Sequence, residues 1–228
     1  MRAMILAAGR GERLRPLTDR VPKPLLEAAG RPLLAWHLER LAAAGFTEVV
    51  INVAYLAERI VAAMGNGGAY GVRIAYSREA EPLETAGGIA HARELLGPDA
   101  FLLLNADVYC DCDLGRLRRL ALGRRVAHLV LAPNPAHRPG GDFSLEGAIV
   151  GNAQAPRYTY TGIAVVAPAL VAPIGPQDKA PLAPLLRAAA GRGQISGELY
   201  EGLWRDVGTA ERLAELDALL RARHGAGR

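Results

Sequence analysis

Short apolar runs alternate with longer segments of mixed character along the first 130 residues. The apolar runs predict buried strands, and the longer segments have the length and periodicity of helices. Strands are predicted at residues 2–7, 48–52, 72–76, 100–104 and 126–131, and helices at 32–44, 56–64, 86–96 and 114–121. This alternation predicts an α/β fold with a mostly parallel sheet, helices on both faces, and ligands at the carboxyl ends of the strands.

The alternation changes after residue 132, where prolines and glycines mark a long connection. Further strands are predicted near 143–150, 158–166 and 194–200, with helices near 179–190 and from Thr209 to Arg221, and fraying is expected at 224–228. Half of the 228 residues are hydrophobic, enough for one substantial core. Because no repeat or low-complexity linker is present, we predict a single domain over residues 1–228.

Positive charge exceeds negative charge only slightly, with 27 lysines and arginines against 23 aspartates and glutamates. An excess of this size suits the binding of small anions better than the coating of nucleic acid. The arginine-rich segment at 116–125 lacks interleaved aromatic residues, and we interpret it as a solvated face. We therefore expect no nucleic-acid partner.

The N-terminal apolar run is interrupted by a glycine loop, and no other apolar segment is long enough to cross a bilayer, so no membrane partner is expected. Cys110 and Cys112 are too few and too close for a disulfide framework or a four-ligand zinc site. With Asp111 and Asp113 they are interpreted as a solvated turn, and a reducing cytoplasm fits best. The oligomeric state is open between a monomer and a small homo-oligomer.

The most informative segment is a glycine-rich loop directly after the first predicted strand. Residues 6–18 read LAAGRGERLRPLT, and Pro22-Lys23-Pro24 follows. Gly9 and Gly11 let the backbone bend and bring its N–H groups against phosphate oxygens, while Arg13 and Lys23 supply fixed positive charge. The string matches neither the dinucleotide fingerprint nor the P-loop, and an ordinary glycine turn with solvated arginines is the alternative.

Two aspartates lie at the ends of predicted elements, where a carboxylate could hold Mg²⁺ beside a bound phosphate. Asp107 follows the apolar strand at 100–104, and Asp206 lies in the sequence WRDVGT. Sequence alone does not show that the two carboxylates meet. The alternative for Asp107 is a helix-capping or turn role. The alternative for Asp206 is that it supports a turn at the last helix, which Thr209 could cap.

Several further polar residues are candidates for binding a polar ligand. The segment at 77–88 opens a helix, with Thr85 as a possible N-cap and exposed helix amides that suit polar ligands. Thr85 and Gly87 equally fit a cap and a close helix contact. Asn105 could read sugar hydroxyls or an N-acetyl group, or could tie loops together, and Asp142 could also face the sugar.

The string G-x-G-x-R-L-x-P-L-T followed by P-K-P resembles the signature of the sugar-phosphate nucleotidyltransferase family, and the resemblance covers essentially the whole chain. It implies a Rossmann-like three-layer sandwich with a mostly parallel mixed sheet, the nucleotide-diphospho-sugar transferase fold. Residues 1–130 would mainly bind nucleotide, and residues 131–228 mainly sugar phosphate. Larger family members carry a C-terminal extension that 228 residues would not accommodate, so the resemblance implies a bare catalytic domain.

The resemblance also implies roles for individual residues. Arg13, Lys23, Asp107 and Asp206 match catalytic positions, and the two aspartates match the ligands of Mg²⁺, the implied cofactor. Nucleotide binding is implied for Ala8, Gly9, Gly11, Glu12, Arg13, Lys23 and Gly87, and substrate binding for Glu79, Thr85, Asn105 and Asp142.

Some family members transfer a uridylyl group from UTP to N-acetylmuramic acid α-1-phosphate in bacterial cell-wall recycling. The chain resembles these members in its compact length and in the strings Gly-Glu-Arg, Glu-Pro-Leu-Glu-Thr and Gly-Asp-Phe. Ala106 and Ala86 stand where the family pattern has glycines, and neither replacement removes a ligand. One alternative is guanylyl transfer to mannose 1-phosphate, or nucleotidyl transfer to another sugar 1-phosphate. The other is a non-catalytic nucleotide-sugar sensor, and the pair of aspartates argues against it.

Overall fold

The computed structural model describes residues 1–154 and 156–225. The strands are β1 (Ala3–Leu6), β2 (Glu27–Ala28), β3 (Arg31–Pro32), β4 (Glu48–Val53), β5 (Arg73–Arg78), β6 (Phe101–Asn105), β7 (Val108–Cys110), β8 (Ala127–Ala132), β9 (Phe143–Glu146), β10 (Ile149–Gly151), β11 (Arg157–Val166), β12 (Ile195–Leu199) and β13 (Trp204–Asp206). The helices are α1 (Leu33–Ala43), α2 (Ala57–Met64), α3 (Glu84–His91), α4 (Arg93–Leu96), α5 (Leu114–Arg118), α6 (Leu182–Gly191) and α7 (Ala210–Gly225).

The main sheet has the strand order β5-β4-β1-β6-β11-β8-β12-β10-β9. Strands β5, β4, β1 and β6 pair in parallel, β11 is antiparallel to both β6 and β8, and β12 is parallel to β8. The predicted mostly parallel mixed sheet is therefore confirmed. Strands from both halves of the chain join this one sheet, which is consistent with a single domain.

Side chains alternate between two apolar layers, because successive residues of a strand point to opposite faces of a sheet. In β1, Ile5 packs with the helices α1, α2 and α5, whereas Met4 packs with α3 and α6. In β6, Leu104 lies in the same layer as Ile5, and Leu103 lies in the same layer as Met4. Helices thus cover both faces, and the predicted three-layer arrangement is confirmed.

Most predicted elements are present, and the differences come from glycines, prolines and long-range pairing. The strand predicted at 143–150 is the hairpin β9–β10, which turns at Gly147 with φ 56°. The helix predicted from 179 begins at Leu182, after Pro181. The last helix extends to Gly225, beyond the predicted end at Arg221, and residues 226–228, where fraying is predicted, lie outside the described residues.

No described helix combines the length and the hydrophobicity that a membrane span requires. Two small additional sheets, β7–β13 and β2–β3, were not predicted. The first of them extends from the carboxyl end of β6 and shapes the candidate active site.

Candidate active site

A cavity of about 880 Å³ opens at the carboxyl ends of β1, β4 and β6, the edge where the sequence predicts ligand binding. Its lining residues come from the glycine-rich loop, the start of α3, the end of β6 and two segments of the C-terminal half. They are Leu6, Ala7, Ala8, Gly9, Arg10, Gly11, Glu12, Arg13, Leu14, Lys23, Pro24, Asn52, Glu81, Pro82, Glu84, Thr85, Asn105, Ala106, Asp107, Lys179 and Gly208.

The glycine-rich loop forms one side of this cavity. Gly11 has φ +66°, and a Cβ atom there would lie 2.9 Å from Thr18 Cγ2 and 3.1 Å from Lys23 Cβ, so the loop requires glycine at this position. Thr18 donates a hydrogen bond from its hydroxyl to the Gly11 carbonyl at 2.9 Å. A Cβ atom on Gly9 would meet no atom within 4 Å, and the backbone there is open to a ligand.

Buried polar contacts fix this loop to the neighbouring strands. The Asn52 side chain accepts a hydrogen bond from the Ala7 amide at 2.8 Å and donates one to the Glu79 carboxylate at 2.6 Å. The other oxygen of Glu79 accepts from the Leu83 amide at 2.9 Å. Glu79, predicted to bind substrate, therefore lies behind the cavity and ties three loops together, and Asn52 lines the cavity in its place.

Lys23 and Asp107 form an ion pair on the cavity wall, although they are far apart in sequence. The ammonium nitrogen of Lys23 lies 2.5 Å from Asp107 Oδ2, and the lysine side chain is only 12% exposed. The restricted exposure strengthens the interaction relative to a surface pair. The fold thus places a cation and a carboxylate together where the sequence predicts catalysis.

The small sheet β7–β13 brings Asp206 beside Asp107. Asp206 pairs with Val108, and the Val207 amide donates a 2.7 Å hydrogen bond to the Asp107 carbonyl. Thr209 precedes α7 and accepts from the Arg212 amide, as the capping alternative expects, and the Arg212 side chain in the same turn pairs with Asp206. Asp206 therefore supports this turn, and its metal role stays a prediction.

Asp206 also carries two partners that the sequence did not reveal. Arg212 donates to Asp206 Oδ2 at 2.5 Å, and His137 Nε2 lies 3.3 Å from Oδ1. Arg13 reaches the same region, since a Cβ atom on Gly208 would lie 2.2 Å from Arg212 and 3.4 Å from Arg13. Two arginines therefore converge beside the cavity at Gly208.

His37 lies buried beneath the segment that carries Asp107. The backbone of Ala106 and Val108 lies close enough to influence its pKa, and its Nε2 atom is buried without a hydrogen-bond partner among the described residues. Burial, assisted by the Arg40 guanidinium, lowers the pKa of His37 from 6.5 to about 4. The imidazole is therefore neutral near pH 7, and it supports the aspartate segment without adding charge.

The start of α3 is bound to the segment before α6, which occupies two of its amides. The amides of Ala86 and Gly87 both donate to the Ala180 carbonyl, at 2.9 and 3.1 Å. A Cβ atom on Gly87 would lie 2.2 Å from the Asp178 carbonyl oxygen, as expected for a close helix contact. No protein acceptor is described for the amides of Glu84 and Thr85, which line the cavity, so the prediction of free helix amides fails only for Ala86 and Gly87. Thr85 lies inside the helix rather than at its N-cap.

Asn105 lines the cavity, and Gly162 of β11 makes room for it. Gly162 has φ +81°, and a Cβ atom there would lie 2.7 Å from Asn105 Nδ2. Asp142 occupies a different place: its carboxylate accepts from the Tyr160 amide at 2.9 Å and pairs with Arg138 at 2.7 Å. Among the described residues Asp142 is not part of the cavity lining, so the structure provides no contact for its predicted substrate role.

The acidic and cysteine-containing segment after Asp107 is not a solvated turn. Cys110 and Cys112 are buried. Asp111 accepts from the Leu203 amide and pairs with Arg223, joining this segment to α7, and Asp113 caps α5. The alternative of a second metal site gains no support here, since no described cluster of three or more His, Cys, Asp or Glu could hold a metal ion.

Several lining residues were not among the candidate site residues. Those with polar or charged side chains are Arg10, Asn52, Glu81, Glu84 and Lys179. The motif itself could have suggested Arg10, and the segment EPLET could have suggested both glutamates. Lys179 lies in no recognisable motif, and only the fold brings it to the cavity.

The family was established by comparison with known proteins. Residues 2–138 match the family model described as Nucleotidyl transferase. The chain belongs to the nucleotidyl transferase family. The resemblance based on the glycine-rich loop is thereby confirmed.

Curated relatives extend the similarity along most of the chain. An N-acetylmuramate alpha-1-phosphate uridylyltransferase from Neisseria meningitidis is 50% identical over 96% of this chain and 98% of its own length. A mannose-1-phosphate guanyltransferase from Aspergillus fumigatus is 34% identical over 91% of this chain and 61% of its own length.

A solved structure supports the fold. HddC from Yersinia pseudotuberculosis superposes with a TM-score of 0.81 at 20% identity, covering 96% of this chain and 99% of that chain. At this identity the likeness concerns the architecture alone, which agrees with the nucleotide-diphospho-sugar transferase fold expected from the sequence.

Proposed function

We propose that this enzyme transfers a uridylyl group from UTP to N-acetylmuramic acid α-1-phosphate, giving UDP-N-acetylmuramic acid and pyrophosphate. The reaction belongs to the recycling of peptidoglycan, and the enzyme acts in the cytoplasm. The observation that carries the reaction class is the Lys23–Asp107 pair, with Asp206 on the adjoining strand, at the wall of a cavity lined by the glycine-rich loop. The 50% identical Neisseria relative carries the choice of substrates.

The donor set fits Mg²⁺. This ion is commonly bound through one or two carboxylates, with water and substrate phosphates completing the coordination. Asp107 and Asp206 supply two carboxylates on paired segments, and no further protein ligand is required. When bound, Mg²⁺ would neutralise charge on the triphosphate.

The proposed step is an in-line displacement at the α-phosphorus of UTP. An oxygen of the sugar phosphate forms the new P–O bond, and the bond to the β-phosphate oxygen breaks as pyrophosphate leaves. The attacking phosphate is already ionised near neutral pH, so no general base is needed. The cavity accordingly contains cations and backbone amides rather than a histidine base.

The charged and polar groups near the cavity have different roles in this step. Lys23 stabilises the charge that develops around the α-phosphate, because its ammonium is largely shielded from water. Arg13 and the amides near Gly9 and Gly11 hold the pyrophosphate. Asn105, which Gly162 leaves room for, orients the sugar through hydrogen bonds.

The test is Mg²⁺-dependent pyrophosphate release from UTP and GTP, each combined with the 1-phosphates of N-acetylmuramic acid, N-acetylglucosamine, glucose and mannose. We expect activity with UTP and the muramic acid substrate. Activity confined to GTP and mannose 1-phosphate would keep the reaction class and favour the function named for the Aspergillus relative. Absence of turnover with every pair would favour a nucleotide-sugar sensor.

A further inference from the structure

The chain uses arginine for nearly all of its basic residues. Of its 27 lysines and arginines, only Lys23 and Lys179 are lysines. Both line the same cavity. A lysine offers a compact, strongly hydrated charge on a flexible stem, whereas arginine offers a planar fork. The placement of both lysines at one site suggests that each binds part of the substrate.

Backbone hydrogen bonds hold the segment that carries Lys179. The Ala180 amide donates to the Leu83 carbonyl at 3.0 Å, and the Ala180 carbonyl accepts from the first turn of α3. Gly87 allows this contact because a side chain there would collide with the Asp178 carbonyl. Lys179 is therefore presented to the cavity from a fixed backbone.

The two lysines approach the cavity from opposite sides of the sheet. Lys23 lies in the segment that packs against α1, on one face, and Lys179 precedes α6, on the other. An extended substrate with more than one anionic group could therefore reach both ammonium groups.

Lys179 differs from Lys23 in having no acidic partner. Its side chain is exposed and makes no ion pair or hydrogen bond with any of residues 1–154 and 156–225. The neighbouring Asp178 carboxylate accepts from the Gly175 amide at 2.8 Å instead. Glu81 and Glu84 also line the cavity, but neither pairs with Lys179. The ammonium is thus free to meet an anion.

We propose that Lys179 binds an anionic group of the sugar 1-phosphate, either its phosphate or the lactyl carboxylate that distinguishes N-acetylmuramic acid from N-acetylglucosamine. This inference rests on the proposed function for the identity of the sugar. The role of Lys23 at the nucleotide is separate from it.

The kinetic test replaces Lys179 by Met and by Arg. Loss of a hydrogen-bonded charge should raise the KM for N-acetylmuramic acid 1-phosphate by about 10- to 100-fold, with the KM for UTP changed by less than about twofold. Lys179→Arg should recover part of the affinity because it retains the charge. Arg187→Met removes an exposed charge from α6 outside the cavity lining, and it should leave both constants unchanged.

N-acetylglucosamine 1-phosphate separates the two anions, because it has the phosphate and lacks the carboxylate. If Lys179 binds the phosphate, Lys179→Met weakens both sugars equally. If it binds the carboxylate, only the muramic acid substrate is weakened, and the preference between the two sugars is lost. An unchanged KM for both sugars, or a raised KM for UTP alone, would overturn the proposal.

A second measurement does not depend on turnover. Each lysine is acetylated with a lysine-selective reagent in the presence of a non-hydrolysable UTP analogue, and modification is followed by peptide mass spectrometry. Adding N-acetylmuramic acid 1-phosphate should slow acetylation of Lys179. An unchanged rate at saturating sugar phosphate would contradict the proposal.

If the proposed function is wrong, the outcome differs from that of a wrong assignment of Lys179. The wild-type enzyme would then not turn over the muramic acid substrate, and both measurements would be repeated with the sugar 1-phosphate that it uses. If it uses none, protection of Lys179 is tested with the four sugar phosphates, and protection by none of them would overturn the inference.

Discussion

On one wall of the cavity, the Lys23 ammonium lies 2.5 Å from the Asp107 carboxylate and is largely shielded from solvent. On the opposite wall, Lys179 is exposed and makes no ion pair with any described residue. The first charge is held in place by the protein, so it costs little reorganisation when the reacting group arrives. The second charge has no described protein partner and is available to a ligand. Under the proposed function, the first wall would serve the chemical step and the second would bind the substrate.

The largest expected effect is on the Lys23 wall. Lys23→Met should lower kcat by about 100- to 1,000-fold, because the charge at the α-phosphate is lost and Asp107 is left without its cation. Pyrophosphate release at saturating substrates measures the change. Urea unfolding provides a check that the variant is folded. A variant with normal kcat and a raised KM for the sugar would reverse the assignment of the two walls.

The two aspartates should be next in effect. Asp107→Asn or Asp206→Asn should lower activity by about 100-fold at limiting Mg²⁺, since each removes one proposed ligand charge. Titration of activity with Mg²⁺, and of Mn²⁺ binding by electron paramagnetic resonance, measures the loss. Asp217→Asn changes an aspartate of α7 that pairs with Arg221, and it serves as the control. Near-normal metal binding in both cavity variants would reject the metal site.

A smaller effect is expected where the Lys179 wall meets α3. Gly87→Ala should destabilise the fold by about 1–3 kcal/mol and raise the KM for the sugar phosphate, because the new methyl group would displace the Asp178 backbone. Denaturant unfolding and steady-state kinetics measure the two effects. Gly140→Ala is the matched control, because a Cβ atom there meets no atom within 4 Å. A change confined to the KM for UTP would instead support the predicted nucleotide contact of Gly87.

The smallest expected effect concerns the support beneath Asp107. The folded state keeps the pKa of His37 near 4, below the value of 6.5 in the unfolded chain. As pH falls from 6.5 toward 4, the unfolded chain takes up the proton first, so this residue lowers the free energy of unfolding by up to about 1.4 kcal/mol per pH unit. Above pH 6.5 it has no such effect.

Replacing His37 by Gln should remove that contribution. Urea unfolding of both proteins at pH 7.5 and 5.0, in the absence of divalent metal, compares the losses of stability. The variant should lose less stability on acidification than the wild type. Equal losses would mean that His37 does not titrate in this way.

Much of the nucleotide side of the site could be predicted because its signals are local. The glycine-rich loop is one continuous string, and Asp107 directly follows an apolar strand. The helix boundary at α3 was less accurate: Thr85 was expected at the N-cap, yet the helix begins at Glu84. Long-range hydrogen bonds from Ala180 decide the arrangement there, and a local propensity contains no information about them.

The sequence by itself determined the alternation of strands and helices, the glycine-rich loop and the reaction class, because periodicity and a contiguous motif are properties of neighbouring residues. Only the tertiary structure decided that Asp206 stands beside Asp107, since β7 and β13 pair across nearly a hundred residues of chain. The same holds for Lys179, which reaches the cavity through the backbone contacts of Ala180 with α3. Contacts between distant segments arise when the whole chain packs, so neither the composition nor the spacing of residues predicts such contacts on its own.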